Sequence, residues 1–113
     1  ALCHLDPDVA GWMELENGAG ETAASALVEA ANAVPGCGPF SFLATGPIGS
    51  DAIRVALLYQ PASVTPVGAP ALLDGRGDPR FDDRRNRPVL AQTLHAPASG
   101  HRFTLAIAHL KSK

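Results

Sequence analysis

The run Arg102-Phe103-Thr104-Leu105-Ala106-Ile107-Ala108 places an apolar side chain at every second position and then hands the chain to His109-Leu110-Lys111-Ser112-Lys113. In a strand successive side chains point to opposite faces, so Phe103, Leu105, Ile107 and His109 share one face. An apolar stripe of that kind must be covered by a second layer, which restricts the chain to folds in which a sheet has a buried face. The same parity carries His109 inward from the strand end into a short basic tail, a setting suited to phosphate.

Further strands are expected at 9–15, 40–44, 52–59, 64–69 and 89–95. Asp51, Ile53, Val55, Leu57 and Tyr59 share a face, which sets Asp51 at the head of an inward row; Trp12, Glu14 and Glu16 share another. Pro66 and Pro70 within or beside the 64–69 run, after Pro61, predict an edge or bent strand, because proline cannot donate to a ladder. One complete helix is expected at about 23–34, with Leu27, Val28, Ala31 and Val34 on one face and Pro35-Gly36 ending it. Thr22 can cap this helix, and Glu21 suits the positive end of its dipole. Residues 1–5 read as the end of an earlier helix, closed by Asp6-Pro7-Asp8. The segment 71–88 is one long loop rich in Gly, Asp and Arg, and such loops more often serve a function.

At 113 residues the chain is about one small domain with a single core. Apolar residues make up 46%, which excludes a disordered chain. A formal charge of -2 gives no global attraction to nucleic acid, so any such contact needs a local patch. Arg76, Arg80, Arg84, Arg85 and Arg87 form the candidate, but Asp74, Asp78, Asp82 and Asp83 interleave with them and make a solvated, self-neutralised loop the simpler reading. No run of about 18 apolar residues exists, so no membrane span is expected. Cys3 and Cys37 lack zinc-site spacing, leaving one disulfide or two buried thiols open.

Two residues stand out for chemistry. Glu14 lies between Met13 and Leu15, and a carboxylate shielded in that way gains from a divalent cation. A solvent-facing strand-end glutamate is the competing reading. His109 can act as acid or base, or bond a phosphoryl oxygen, although a purely structural histidine is the plainer alternative. Arg87, in Asn86-Arg87-Pro88, has the guanidinium geometry of a phosphate clamp. Lys111 and Lys113 add local positive charge. His4, His95 and His101 have no matching context.

The runs Asp8 to Asn17, Asp51 to Tyr59, Phe81 to Pro88 and His109 to Lys113 occur in an order and spacing that resembles the endonuclease/exonuclease/phosphatase superfamily. The likeness is to its secreted bacterial nucleases, of the deoxyribonuclease I type, and spans essentially the whole chain. It implies an α/β (α+β) fold, part of a four-layer sandwich with a mixed, mostly antiparallel sheet. It also implies Mg²⁺-dependent hydrolysis of phosphodiester bonds in DNA, with RNA, Ca²⁺ and Mn²⁺ as variants, and a secreted location. Glu14 then matches the strand-end metal ligand and His109 the first catalytic histidine. Asp51 falls near the position that orients that histidine. Arg87, with Asn86 and Lys111 beside it, falls on the phosphate-binding surface. The sandwich topology puts the C-terminal ends of the first two helices on one side, which implies a Cys3–Cys37 disulfide.

Members of that family are roughly twice as long. Their first strand with a metal-site asparagine, their Asp-x-Asn segment and their closing Ser-Asp-His segment have no counterpart here, and Ala108 stands where relatives often carry asparagine. The expectation is therefore a fragment covering about the N-terminal half of a catalytic domain, inactive by itself, whose bare sheet face (Phe103, Leu105, Ile107) is covered by a second copy or by the missing half. Two other functions fit the same residues: a phosphatase acting on a small or lipid phosphate, and a non-catalytic binding or assembly module.

Overall fold

The structure is a computed structural model and describes residues 2–18 and 21–110. Its elements run α1 (Leu2–Leu5), β1 (Val9–Glu16), α2 (Thr22–Asn32), β2 (Ser41–Phe42), β3 (Ile53–Tyr59), β4 (Thr65–Leu73), β5 (Val89–Ala96) and β6 (His101–Ile107). Two three-stranded sheets result, in the orders β1-β3-β2 and β4-β5-β6. Every strand pair among the described residues is antiparallel, where a mixed sheet was expected.

The two sheets face one another. Val55 and Leu57 of β3 meet Leu90 and Leu94 of β5 and Ile107 of β6, with Ile48 and Val64 closing the cluster. Gly11 permits the close approach of β1 to β6, since a Cβ there would lie 3.0 Å from Ile107 Cγ1. β3 is buried on both faces, because Arg54, Ala56 and Leu58 are covered on the side of α2. The layers are thus helix, sheet, sheet.

This arrangement corrects the expectation of a bare row on the last strand. Ile107 is buried and Leu105 packs against the core cluster, so the first sheet covers them within one chain. Only Phe103, near the outer end of β6, stays exposed.

Below the first sheet, Ala31, Cys37 and Phe40 form a second cluster with Leu2, Cys3 and Val28. Cys3 and Cys37 are joined by a disulfide, with their Cα atoms 5.1 Å apart. Asn32 ties the following segment to the helix: its Oδ1 accepts from the Phe40 N–H at 2.7 Å and its Nδ2 donates to the Phe40 carbonyl at 3.0 Å.

Three local readings change. The helix N-cap is Glu21, not Thr22, and its carboxylate is turned away from the helix end toward Arg54. The 40–44 run pairs only at Ser41 and Phe42, with one further bond from Leu43 N–H to the Leu57 carbonyl at 2.9 Å. β4 is an edge strand, as its prolines demand, but it continues to Leu73 past an irregularity between Val67 and Ala71. Buried Gln92 donates from Nε2 to the carbonyls of Val67 and Gly68 there, at 3.1 and 3.2 Å. No described helix is long and apolar enough to cross a membrane.

Candidate functional site

The site begins with a defect in β1. Trp12 pairs with Ala56 and Leu15 with Arg54, so two residues of β1 oppose one of β3. The extra residue makes a bulge, which bends a strand and re-aims its side chains. Glu14 sits in it with φ of 64°, a left-handed conformation that disfavours any residue but glycine. The bulge breaks the expected parity of Trp12, Glu14 and Glu16. It also decides between the two readings of Glu14: the side chain is 67% exposed, as a solvent-facing strand-end glutamate is, and not partly shielded.

Asn17, just past the end of β1, fixes the next piece. Its Nδ2 donates to the carbonyls of Ile48 and Asp51, both at 2.8 Å, and its Oδ1 accepts from the Ile48 N–H at 2.9 Å. One amide thereby staples the loop before β3 against the tip of β1. Asp51 Oδ1 accepts from the Ala52 N–H at 2.8 Å, and its Oδ2 accepts from Arg87 Nε at 3.0 Å. An isolated antiparallel bridge between Asn86 and Leu110 then brings Arg87 alongside His109. Arg87 Nη1 lies 3.2 Å from His109 Nδ1, and His109 Nε2 lies 3.5 Å from Glu14 Oε1.

The structure therefore joins four of the anticipated residues in one row: Asp51, Arg87, His109, Glu14. Exposure is lowest in its middle, 17% for the Arg87 side chain and 21% for His109, and higher at its ends, 33% for Asp51 and 67% for Glu14. Asn86 enters through its backbone bridge and the wall of a neighbouring pocket. Lys111 lies outside the described residues. The row separates two depressions. On the Arg87 side is a polar pocket of about 390 Å³, to which Ser50 and Arg76 also contribute. On the Glu14 side is a more apolar groove of about 570 Å³ over Leu2, Leu5, Trp12 and Met13.

As for Mg²⁺, Glu14 fits one ligand position. Mg²⁺ commonly uses one or two carboxylates and takes its other oxygens from water and phosphate. Among the described residues no group of three His, Cys, Asp or Glu side chains converges to hold a metal ion.

Besides the role of Asn17, two features were missed in the sequence. The first is Arg54, only 3% exposed, whose Nη2 reaches Glu21 Oε2 at 2.7 Å while Nη1 donates to Thr45 Oγ1 at 2.7 Å and the Gly46 carbonyl at 2.8 Å. Glu21 Oε1 in turn accepts from the Gly46 N–H. This network holds the loop that leads to Asn17's partners. An arginine sharing its strand face with apolar Ala56 and Leu58 was its only signal.

The second is a repeat in the long loop. Asp74, Asp78 and Asp82 each accept through Oδ1 from the N–H of the arginine two residues on, at 3.0, 2.9 and 3.0 Å. The signal was the Asp-x-Arg spacing of four. Arg80, Arg84 and Arg85 project into solvent and pair with Asp78 or Asp82. The Arg80 side chain, and then its N–H, hold the Asp78 carboxyl below its usual range, and Arg80 is raised in return. The Arg84 N–H is the main cause of a lowered Asp82.

No protein-family model matches the chain, and neither a curated protein nor a solved structure matches it significantly.

Proposed function

We propose that this chain carries the phosphate-contacting side of a metal-dependent phosphodiesterase acting on DNA, built as part of a four-layer sandwich of the endonuclease/exonuclease/phosphatase kind. The observation behind the reading is the row Asp51–Arg87–His109–Glu14, in which an imidazole stands between a guanidinium and an outward carboxylate. Glu14 would hold Mg²⁺, which when bound offsets negative charge on a phosphoryl oxygen. His109 would bond a second phosphoryl oxygen, and Arg87 would lend the site its fixed positive charge. The disulfide suits an oxidising compartment and hence secretion.

With Glu14 as the proposed metal carboxylate and no group of three candidate ligands among the described residues, the chain alone would supply one side of a reaction site. Two assays test the reading together. The purified chain with Mg²⁺ is expected to leave linear DNA intact; robust cleavage overturns the one-sided site. It is expected to retain a short oligonucleotide in Mg²⁺, with retention lowered by Glu14→Gln and by His109→Gln. Retention that ignores both substitutions removes the phosphodiesterase reading and favours the non-catalytic binding module.

A further inference from the structure

The family resemblance implied a place for Arg87 close to the phosphate-binding surface. The structure commits two of its nitrogens elsewhere: Nε to Asp51 and Nη1 to His109. We infer that Arg87 is a positioning residue, which holds His109 as the Nε2–H tautomer so that the imidazole meets an anion as a hydrogen-bond donor. The ligand half of this statement rests on the phosphate reading above; the tautomer half does not.

A guanidinium has donors and no acceptor, and it stays protonated. Its approach of 3.2 Å to Nδ1 is therefore a hydrogen bond only if Nδ1 offers a lone pair. In a neutral imidazole the one ring proton must then sit on Nε2. That proton faces Glu14 Oε1 at 3.5 Å, a gap too long for a strong bond, and remains free to meet a ligand oxygen.

The guanidinium is not free to turn. Its side chain is 17% exposed, and Asp51 grips Nε at 3.0 Å. Asp51 is itself held by the Ala52 N–H on its other oxygen and by Asn17 on its carbonyl. Asp51 thus acts on His109 through Arg87. With its lone pair on Nδ1 facing Arg87, His109 has no basic nitrogen turned to a ligand at Nε2. It can stabilise a phosphoryl oxygen but cannot remove a proton from water there.

The test uses protein labelled with ¹⁵N in histidine, with long-range proton–nitrogen spectra assigned against His109→Gln. The expected spectrum shows His109 Nε2 protonated and Nδ1 bare, with Nδ1 displaced from its free-imidazole position by the Arg87 bond. Asp51→Asn, which removes the charge and one of the two acceptor oxygens that grip Arg87 and Ala52, is expected to return Nδ1 toward that free position. A proton on Nδ1, or an Nδ1 signal indifferent to Asp51→Asn, overturns the inference.

Inorganic phosphate gives the second readout. Asp51→Asn removes a negative charge, so a direct Arg87 clamp predicts tighter phosphate binding. Positioning predicts binding weakened by about fivefold, the worth of one modest hydrogen bond. Tighter binding in Asp51→Asn overturns the inference. Absence of phosphate binding by the unmutated chain instead removes the phosphate reading and its ligand half, and the nitrogen spectrum alone then decides the tautomer.

Discussion

His109 Nε2 and Glu14 Oε1 lie 3.5 Å apart although Glu14 belongs to β1 of one sheet and His109 follows the end of β6 in the other. The approach depends on a bulge that turns Glu14 outward and on a bridge that seats His109 beside Arg87. The two features are independent in sequence and meet only because the sheets are stacked.

The bulge carries a measurable strain. Glu14 holds a left-handed φ that glycine adopts freely and other residues adopt at a cost of about 1 kcal/mol. Glu14→Gly is expected to raise unfolding free energy by about that amount relative to Glu14→Ala in denaturant titrations. Equal stability of the two variants would mean that the strand runs through this point without the bulge.

Reduction of Cys3–Cys37 probes the cluster under the first sheet. The bond closes a loop with a sequence separation of 34. Loop-closure entropy puts its contribution at about 3–4 kcal/mol. Unfolding in reductant, or of the Cys3→Ser/Cys37→Ser variant, should show a loss of that size, and an unchanged midpoint would contradict the pairing.

Much of this architecture was legible beforehand, and the reason is periodicity. Alternation in β3 and β6 and the proline-marked edge strand β4 follow from local rules that need no tertiary knowledge. The bulge at Met13-Glu14 was not legible, because an extra residue in a strand leaves no compositional mark. Asn17 and Arg54 were missed for a different cause. Their partners are loop carbonyls and a distant glutamate, which no spacing rule connects. Glu14 was picked out for shielding by Met13 and Leu15, yet the structure exposes it; the parity argument failed at the bulge.

Arg54 supplies a third prediction. Removing Glu21 leaves a buried guanidinium without its carboxylate, so Glu21→Gln is expected to cost on the order of 3 kcal/mol. Arg54→Met in the same background should recover part of the loss. If Glu21→Gln is neutral by thermal and denaturant unfolding, the network does not hold the loop.

The Asp-x-Arg turns respond to acid in a defined direction. Asp78 and Asp82 are lowered from 3.8 in the fold, so their contribution to loop order is present above that value and fades as pH falls through the depressed one. Carboxyl ¹³C titration should find both Asp78 and Asp82 protonating below an unstructured aspartate. Asp78→Asn should relax Arg80 while the core resonances stay in place. Ordinary titration at both positions would mean that the turns are not formed in solution.

The most direct test of the account maps the binding of a dinucleotide phosphodiester in the presence of Mg²⁺ onto assigned side-chain resonances. The account predicts that Glu14 and His109 shift together, saturate at the same ligand concentration, and lose the Glu14 response when Mg²⁺ is withheld. Shifts confined to the exposed arginines of the 74–87 loop, with Glu14 and His109 silent, would contradict it.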